Sequence, residues 1–473
     1  MAKRLKFFLR VLCAAIFFAS TIHGPLPAIS AAQTAAPKYV FLFLADGGGI
    51  SQMEITRQYN RLIHNEGLVI TDKIIKEGSL GLMTTHAADS LSTDSAAAAT
   101  AMASGCKARV GALGICADGT MPKTAMEIAK ERGMRVGLVT NSTVYDASPA
   151  AFVCHLPNRR DHAGILNAYR QMAPDLLMGG GREQFLPKGR AGSRRKDGLD
   201  LIASFVAQGY QYASNKEELE RVEKGKALAL FSLKEMSFEL DRDNKTEPSI
   251  YDMTRAAIRL LQDDSPRGFF VFIENENIDT AGHLSDIAAL VRDYREFDRA
   301  VGLAYEFYRK YPRETLIIVT SDHETGGLGF TLALKDLSPL KGGTQVAATA
   351  DDLKKIHAIS ISLRKAAELL GPHPTAAALD KLMTDYFPGF SLAPDIRDAI
   401  VRRQPLSRTV HLDPTANALG LMVANNTQAY WQTSSHTNQP VFVAALGVGA
   451  ERFRGYLDNA DFGKTLKALL ESK

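Results

Sequence analysis

Past Ser20 the chain contains no apolar run long and charge-free enough to cross a bilayer. A membrane-spanning helix in the mature protein is therefore not expected. It also lacks a true excess of positive charge. The 56 Lys and Arg stand against 52 Asp and Glu, but Lys3, Arg4, Lys6 and Arg10 all fall in an N-terminal stretch without acidic residues, which leaves 52 against 52 in the remainder. The pI of about 8.7 therefore belongs to that stretch, and with no basic face implied, nucleic acid is not an expected partner. Cysteine is scarce, at 4 residues. Cys13 follows Arg10-Val11-Leu12, without the small residue that precedes a lipidated cysteine. Cys106 and Cys116 bracket a Gly-containing loop and can pair in an oxidising compartment; Cys154 is then left over and reads as a small buried apolar residue. There are no internal repeats and no low-complexity tract beyond the Ala-rich stretch Ala96–Ala101.

What is present begins with an export leader. Met1-Ala2-Lys3-Arg4-Leu5-Lys6, the apolar stretch Phe7–Ser20 and the small residues Ala28-Ile29-Ser30-Ala31-Ala32 have the order of a secretory signal. Residues 1–32 are assigned to it, with cleavage at about 30–36, and the mature protein is expected in the periplasm or outside the cell. The 473 residues, 45% hydrophobic and 23% charged, are enough for a large core. One catalytic domain over 37–473 with an insertion is expected, since α/β enzymes run to this size as one unit.

Strand-like runs lead to residues with chemistry: Lys38–Leu44 to Asp46, Arg135–Thr140 to Asp146, Phe269–Ile273 to Glu274, and Thr315–Thr320 to Asp322, while Val441–Leu446 follows His436. Helical patterns at Lys123–Arg132, Ile250–Gln262 and Ile287–Arg309 lie between them. This alternation predicts an α/β fold with a central, mostly parallel sheet flanked by helices. Sites in such sheets form beyond the carboxyl ends of the strands, so the candidates should share one edge. Residues 332–413 fit the alternation less well. Helical patterns at Ala350–Leu370, Thr375–Tyr386 and Pro394–Arg403, broken at Pro372, Pro388 and Pro405, read as a helix-rich cap inserted beside the site. The basic, Gly-punctuated stretch Arg190–Arg195 reads as a solvated loop.

Imidazole nitrogen and carboxylate oxygen together suit Zn²⁺, and two separated carboxylate/His clusters suit a two-metal site. Glu274, Asp279 and His283 form one such run, and Asp322-His323 a second. The pattern points to metal-assisted hydrolysis. Ser92-Thr93-Asp94-Ser95 precedes the strong helix former Ala96–Ala103, so a Ser95 hydroxyl would sit in the field of a helix N-terminus. An ordinary N-cap is the competing reading. Beyond Asp146-Ala147-Ser148-Pro149, the guanidiniums of Arg159 and Arg160 can grip two oxygens of a tetrahedral anion or lie on the surface.

With these residues assembled, the chain resembles an alkaline phosphatase from about Lys38 to the C-terminus. The motifs fall in family order: Asp46-Gly47, Thr93-Asp94-Ser95-Ala96, Asp146-Ala147-Ser148-Pro149, Glu274 with Asp279 and His283, Asp322-His323, and His436-Thr437. The loop Met178-Gly179-Gly180-Gly181-Arg182 and the closing segment Tyr456–Leu469 are similar to family members too. The resemblance implies hydrolysis of phosphate monoesters, with Ser95 phosphorylated during turnover and Arg159, singled out by its spacing from Asp146, holding phosphate oxygens. It implies two Zn²⁺ and one Mg²⁺ per chain. Asp279, His283 and His436 would hold one zinc, and Asp322 and His323 with Asp46 the other. Ser148 and Glu274 would share the Mg²⁺ with Asp46, and Asp146 would reach it through water, in keeping with the oxygen ligands and retained waters of that ion. Family members are frequently homodimers.

Departures from the family pattern are Ser148 where Thr is common, Asn275-Glu276-Asn277 in place of a small Gly-containing stretch, and the absence of the usual Gly after His436. Glu276 reads as a solvated turn residue, and His86, His155 and His162 as core or surface residues. A phosphodiesterase or sulfatase of the same superfamily is the nearest competing function. A catalytically silent exported binding protein is the competitor of another class, although such a protein would be expected to have lost Ser95 or a ligand.

Overall fold

The segment Tyr39–Ala45, YVFLFLA, is buried along its whole length, and so are Phe269–Asn275 and Thr315–Thr320. Continuous β-branched and aromatic runs of this kind belong to strands covered on both faces. The computed structural model describes residues 36–262, 265–334, 345–406 and 412–472, all within the unit Ala36–Lys473. The leader with Cys13 lies outside the described residues, as do 335–344 and 407–411 of the expected insertion.

A 10-stranded sheet forms the centre. In chain order its strands are β1 (Tyr39–Ala45), β2 (Ser79–Thr84), β3 (Arg135–Thr143), β4 (Leu176–Gly180), β5 (Tyr210–Ala213), β6 (Lys226–Leu230), β7 (Phe269–Asn275), β8 (Thr315–Thr320), β9 (Val441–Gly447) and β10 (Gly455–Asp458). Their spatial order is β10-β2-β9-β8-β1-β7-β3-β4-β6-β5. Every pairing is parallel except the two made by β9. The expected α/β architecture is therefore the one observed. Alternate residues go to opposite faces: Phe41, Phe43 and Phe269 enter one apolar core, and Val40, Leu42 and Phe270 the other.

Register decides where the chemistry lies. Leu44 pairs with Glu274 on one side and with Thr320 on the other, and Thr140 also pairs with Glu274. The carboxyl ends of β1, β7, β8 and β3 are thus level, and the residues that follow them meet on one edge. β4 differs from expectation: Met178-Gly179-Gly180 continues a strand parallel to β3 and β6 and is not a loop.

Within 332–413 the described helices are Ala350–Ala358, Leu363–Leu370, Ala376–Tyr386 and Pro394–Arg402. The expected helix Ala350–Leu370 is broken at Ile359–Ser362. Ser362 caps a new helix by accepting from Lys365 N, while its own N–H and hydroxyl donate to Asp241. Arg190–Arg195 is a largely exposed loop, as expected, with Arg195 the exception. Its side chain is 7% exposed, with Nε 2.7 Å from Asp197 Oδ1 and Nη1 donating to the Gln184 carbonyl. Cys106 and Cys116 form a disulfide with Cα atoms 5.6 Å apart, and Cys154 is a buried free thiol. Among the described residues no helix is long and apolar enough to cross a membrane.

Candidate metal centre

β1 delivers Asp46 and then turns sharply at Gly47, φ +69°, where a Cβ would stand 2.6 Å from Asp279 Oδ1. Only glycine combines that conformation with so close an approach. Beyond β7 the helix Asn277–Leu284 carries Asp279 and His283 at i, i+4 on one face. Beyond β8 come Asp322 and His323. His436 arrives from far along the chain in a short antiparallel pair, His436–Thr437 against Glu324–Thr325. The Glu324 carboxylate locks that pair by accepting from the Thr437 hydroxyl and from Gly327 N.

The ligand atoms of Asp279, His283 and His436 lie within 4.8 Å of one another, as do those of Asp46, Asp322 and His323. All except His436 are buried. His283 Nδ1–H donates to the Ser434 carbonyl and His436 Nδ1–H to the Thr93 carbonyl, both at 2.8 Å. In the neutral rings each Nε2 then keeps its lone pair, and these nitrogens stand 3.1 Å apart. Two acceptors so close repel unless a proton or a metal cation stands between them, and, against the effect of burial, the Asp279 carboxylate raises the pKa of His283. The Asp279 carboxylate, 3.0 Å from His283 Nε2, completes this group. In the second group Asp46 Oδ1 and both oxygens of Asp322 are buried without a hydrogen-bond partner, a costly arrangement for anions in a low dielectric. Burial and the Asp322 charge push the Asp46 carboxyl well up; burial and Asp279 push Asp322 to about 7. Burial, then the neighbouring His436, holds His323 well below the ordinary imidazole range. Orphaned acceptors, crowded negative charge and imidazoles whose Nε2 atoms converge fit divalent cations at both groups.

Beside them is an oxygen cluster. Ser148 Oγ donates to Asp46 Oδ2 at 3.3 Å, and Thr140 Oγ1 to Glu274 Oε2 at 2.6 Å. Burial, then Asp146, raises Glu274 to about 8. Asp146 accepts from Ser142 Oγ at 2.8 Å and from Arg159.

Asp94, not Ser95, is the N-cap of the helix Ser95–Ser104, accepting from Ala97 N. Ser95 is the first helical residue, buried, with Oγ 3.3 Å from His323 Nε2. The capping role is already filled, so this hydroxyl faces the metal-type ligands. Arg159 Nη1 donates to Asp94 Oδ2 at 3.1 Å and Nη2 to Asp146 Oδ1 at 3.0 Å. Burial works against its charge, but Asp146 and Asp94 outweigh it and raise its pKa. The residues expected at the site, Asp46, Ser95, Asp146, Ser148, Arg159, Glu274, Asp279, His283, Asp322, His323 and His436, are thus gathered at one edge of the sheet.

Glu276 corrects the solvated-turn expectation. Its Oε1 accepts from Thr280 Oγ1 at 2.7 Å, its Oε2 is buried without a hydrogen-bond partner, and it lines the same cavity as Asp46, Asp279, His283 and His436. His155 is a structural bridge, with Nδ1 2.7 Å from the Gly114 carbonyl and Nε2 3.1 Å from Glu127. His162 packs on Tyr145, and exposed His86 lies by Lys107. The sequence reading missed the Ser434 and Thr93 carbonyls that set the tautomers of His283 and His436. It also missed Thr325, whose hydroxyl donates to Asp279. Backbone acceptors brought from elsewhere in the chain leave no side-chain signal in a sequence.

Against known proteins, the family model described as alkaline phosphatase matches residues 37–472. The repressible alkaline phosphatase of Saccharomyces cerevisiae is 32% identical over 470 residues, covering 92% of this chain and 81% of that protein. Alkaline phosphatase 3 of Bacillus subtilis is 30% identical over 474 residues, covering 96% and 95%. The crystal structure of Thermus thermophilus alkaline phosphatase superposes with a TM-score of 0.82 at 28% identity, covering 95% of this chain and 96% of that one. With the serine, the arginine and the carboxylate/imidazole groups of the site inside the matched span, the chain belongs to the alkaline phosphatase family, whose members hydrolyse phosphate monoesters.

Proposed function

We propose that this chain is an exported phosphomonoesterase that turns over through a phosphoserine at Ser95, with two Zn²⁺ and one Mg²⁺ per chain. One observation carries the reading: the Ser95 hydroxyl, at a helix N-terminus, faces two buried carboxylate/imidazole groups. Asp279, His283 and His436 would hold one zinc and Asp46, Asp322 and His323 the other, since mixed nitrogen and oxygen donors suit that ion. The oxygen-only set of Asp46, Ser148 and Glu274, with Asp146 beside it, would hold Mg²⁺. Bound cations would supply the positive charge that favours the serine alkoxide and the departing alkoxide of the ester.

Arg159, prealigned by Asp94 and Asp146, grips two non-bridging phosphate oxygens through its two terminal nitrogens. The Ser95 hydroxyl releases its proton to solvent, Oγ attacks phosphorus, the ester P–O bond breaks, and the departing alkoxide takes up a proton from solvent to leave as the alcohol. Water then attacks the phosphoserine; the P–Oγ bond breaks, inorganic phosphate departs and Ser95 regains its proton. The helix N-terminus favours negative charge on Oγ in both half-reactions.

The leader residues, Phe7–Ser20 between a basic start and a small-residue end, support export, as does the Cys106–Cys116 disulfide. In this reading 37–473 is one catalytic domain and 332–413 caps its site. Acid quenching during turnover of a phosphate monoester, followed by peptide mass spectrometry, should place the phosphoryl group on Ser95. Ser95→Ala should lose that adduct and several orders of magnitude in kcat, keeping slow residual hydrolysis. Unchanged kcat in the variant overturns the nucleophile assignment.

A further inference from the structure

The cavity above Ser95 has a volume of about 1010 Å³ and reaches from Asp279 and His436 to Arg364, Gly371 and Arg403 of the inserted helices. A phosphoryl group fills only its floor. The space beyond must take the alcohol half of the ester, and its charged walls determine which alcohols suit it.

Most of the charge there is already matched. Arg159 is held by Asp94 and Asp146. Arg403 Nη2 pairs with Asp413 Oδ2 at 3.1 Å, and Glu368 with Lys365 at 3.4 Å. Glu276 accepts from Thr280, and its other oxygen is buried. Arg160, Arg364 and the exposed Glu235 remain. Among the described residues neither guanidinium makes a side-chain hydrogen bond or an ion pair, although Arg364 lies near enough to Glu276 to act on its charge, so both guanidiniums keep N–H donors for a ligand in the outer chamber.

Arg364 is nonetheless held in place. Its guanidinium carbon lies 4.5 Å from the centroid of the Phe238 ring. Its helix, Leu363–Leu370, is pinned at the start by Leu363 N donating to the buried Asp286 Oδ2 at 2.6 Å. A guanidinium with one face on an aromatic ring keeps its edge N–H donors for a planar or tetrahedral anion.

We propose that Arg364, aided by Arg160, forms a leaving-group subsite for an anionic substituent, so that the preferred substrates are phosphate monoesters whose alcohol carries a carboxylate or a second phosphate. This rests on the phosphomonoesterase reading of the floor of the cavity. The insertion then selects substrates by charge as well as covering the site.

Paired esters provide the test: phenyl phosphate against para-carboxyphenyl phosphate, and propyl phosphate against propanediol bisphosphate. Comparing variant with wild type on each ester cancels differences in intrinsic reactivity. Arg364→Ala should raise KM for an anionic ester about tenfold and for its neutral counterpart by no more than about twofold. Arg364→Lys, which keeps charge but loses the fork, should fall between, and Arg160→Ala should shift the same esters less. A response confined to one arm identifies the substituent as carboxylate or phosphate. Equal shifts on neutral and anionic esters, or no shift on either anionic ester, overturn the subsite. Failure of the wild type to hydrolyse phenyl phosphate would instead overturn the underlying phosphomonoesterase reading.

Discussion

Arg159 is fixed by Asp94 and Asp146 in the protein alone, so little side-chain freedom remains to be lost when phosphate binds. Replacement by Ala should cost about 2–4 kcal/mol in monoester kcat/KM, the scale of a charge-assisted contact that strengthens in the transition state. Diesters present one fewer free oxygen and should lose less. Lysine should recover only part of the activity, because a point charge cannot reproduce the fork. Steady-state kinetics on a matched monoester and diester would check this, and equal losses on both would assign the clamp to another residue.

The disulfide loop and the Ser95–Ser104 helix act as one support. Gly111, inside the loop, accepts from Arg159 N at 2.8 Å and donates to Asp94 Oδ1 at 3.2 Å, so the loop backbone touches both the clamp and the cap next to the nucleophile. Replacing Cys106 and Cys116 by Ser should lower stability by about 2–3 kcal/mol, the scale for closing so short a loop. It should also lower kcat/KM, as read by denaturant unfolding and kinetics. Elsewhere, the helix Ile287–Lys310 is tied to the turn at Ile70–Ile75 by Asp298, which accepts from Val69 N and Ile70 N, both at 2.9 Å. Burial pushes this carboxyl up from 3.8 to about 7. Between those values the folded state holds a proton that the unfolded chain has lost. The contribution is therefore complete below about pH 4 and disappears as pH rises through about 7. Asp298→Asn, which cannot titrate, should flatten the decline in stability over that window by an amount on the order of a few kcal/mol. Urea unfolding of both proteins across the range measures it, and parallel pH profiles would refute it.

At the scale of the whole molecule, the metal centre is where distant parts of the chain converge. Exhaustive chelation should abolish activity and Zn²⁺ should restore it. His436→Ala should lower zinc content by about one per chain, since two ligands hold zinc poorly, while Asp46, Asp322 and His323 keep the other ion. Mass spectrometry of the metals, set beside activity, checks both. Full zinc content in the variant would refute this ligand set.

The strands ending in Asp46, Glu274 and Asp322 were legible in the sequence because strands buried on both faces read as unbroken apolar runs, and because site residues follow their carboxyl ends. The i, i+4 spacing of Asp279 and His283 was legible for the same local reason. β4, β5 and β6 were harder to see because they are short, and Gly179 and Gly180 in β4 look like a loop, while β2 carries Gly81 and an exposed Leu80 in place of an unbroken apolar run. Local sequence also left Ser95 ambiguous between cap and nucleophile, since both want a helix N-terminus. Only the fold assigned the cap to Asp94 and brought His323 to 3.3 Å from Ser95 Oγ. It likewise half-buried Glu276 at the cavity wall and laid Arg364 on Phe238 beside it. Sequence determines what is periodic and near in the chain, the strands, helices and ligand types. Tautomers, orphaned charges and the shape of the cavity depend on which distant segments share one low-dielectric space, and only tertiary packing decides that.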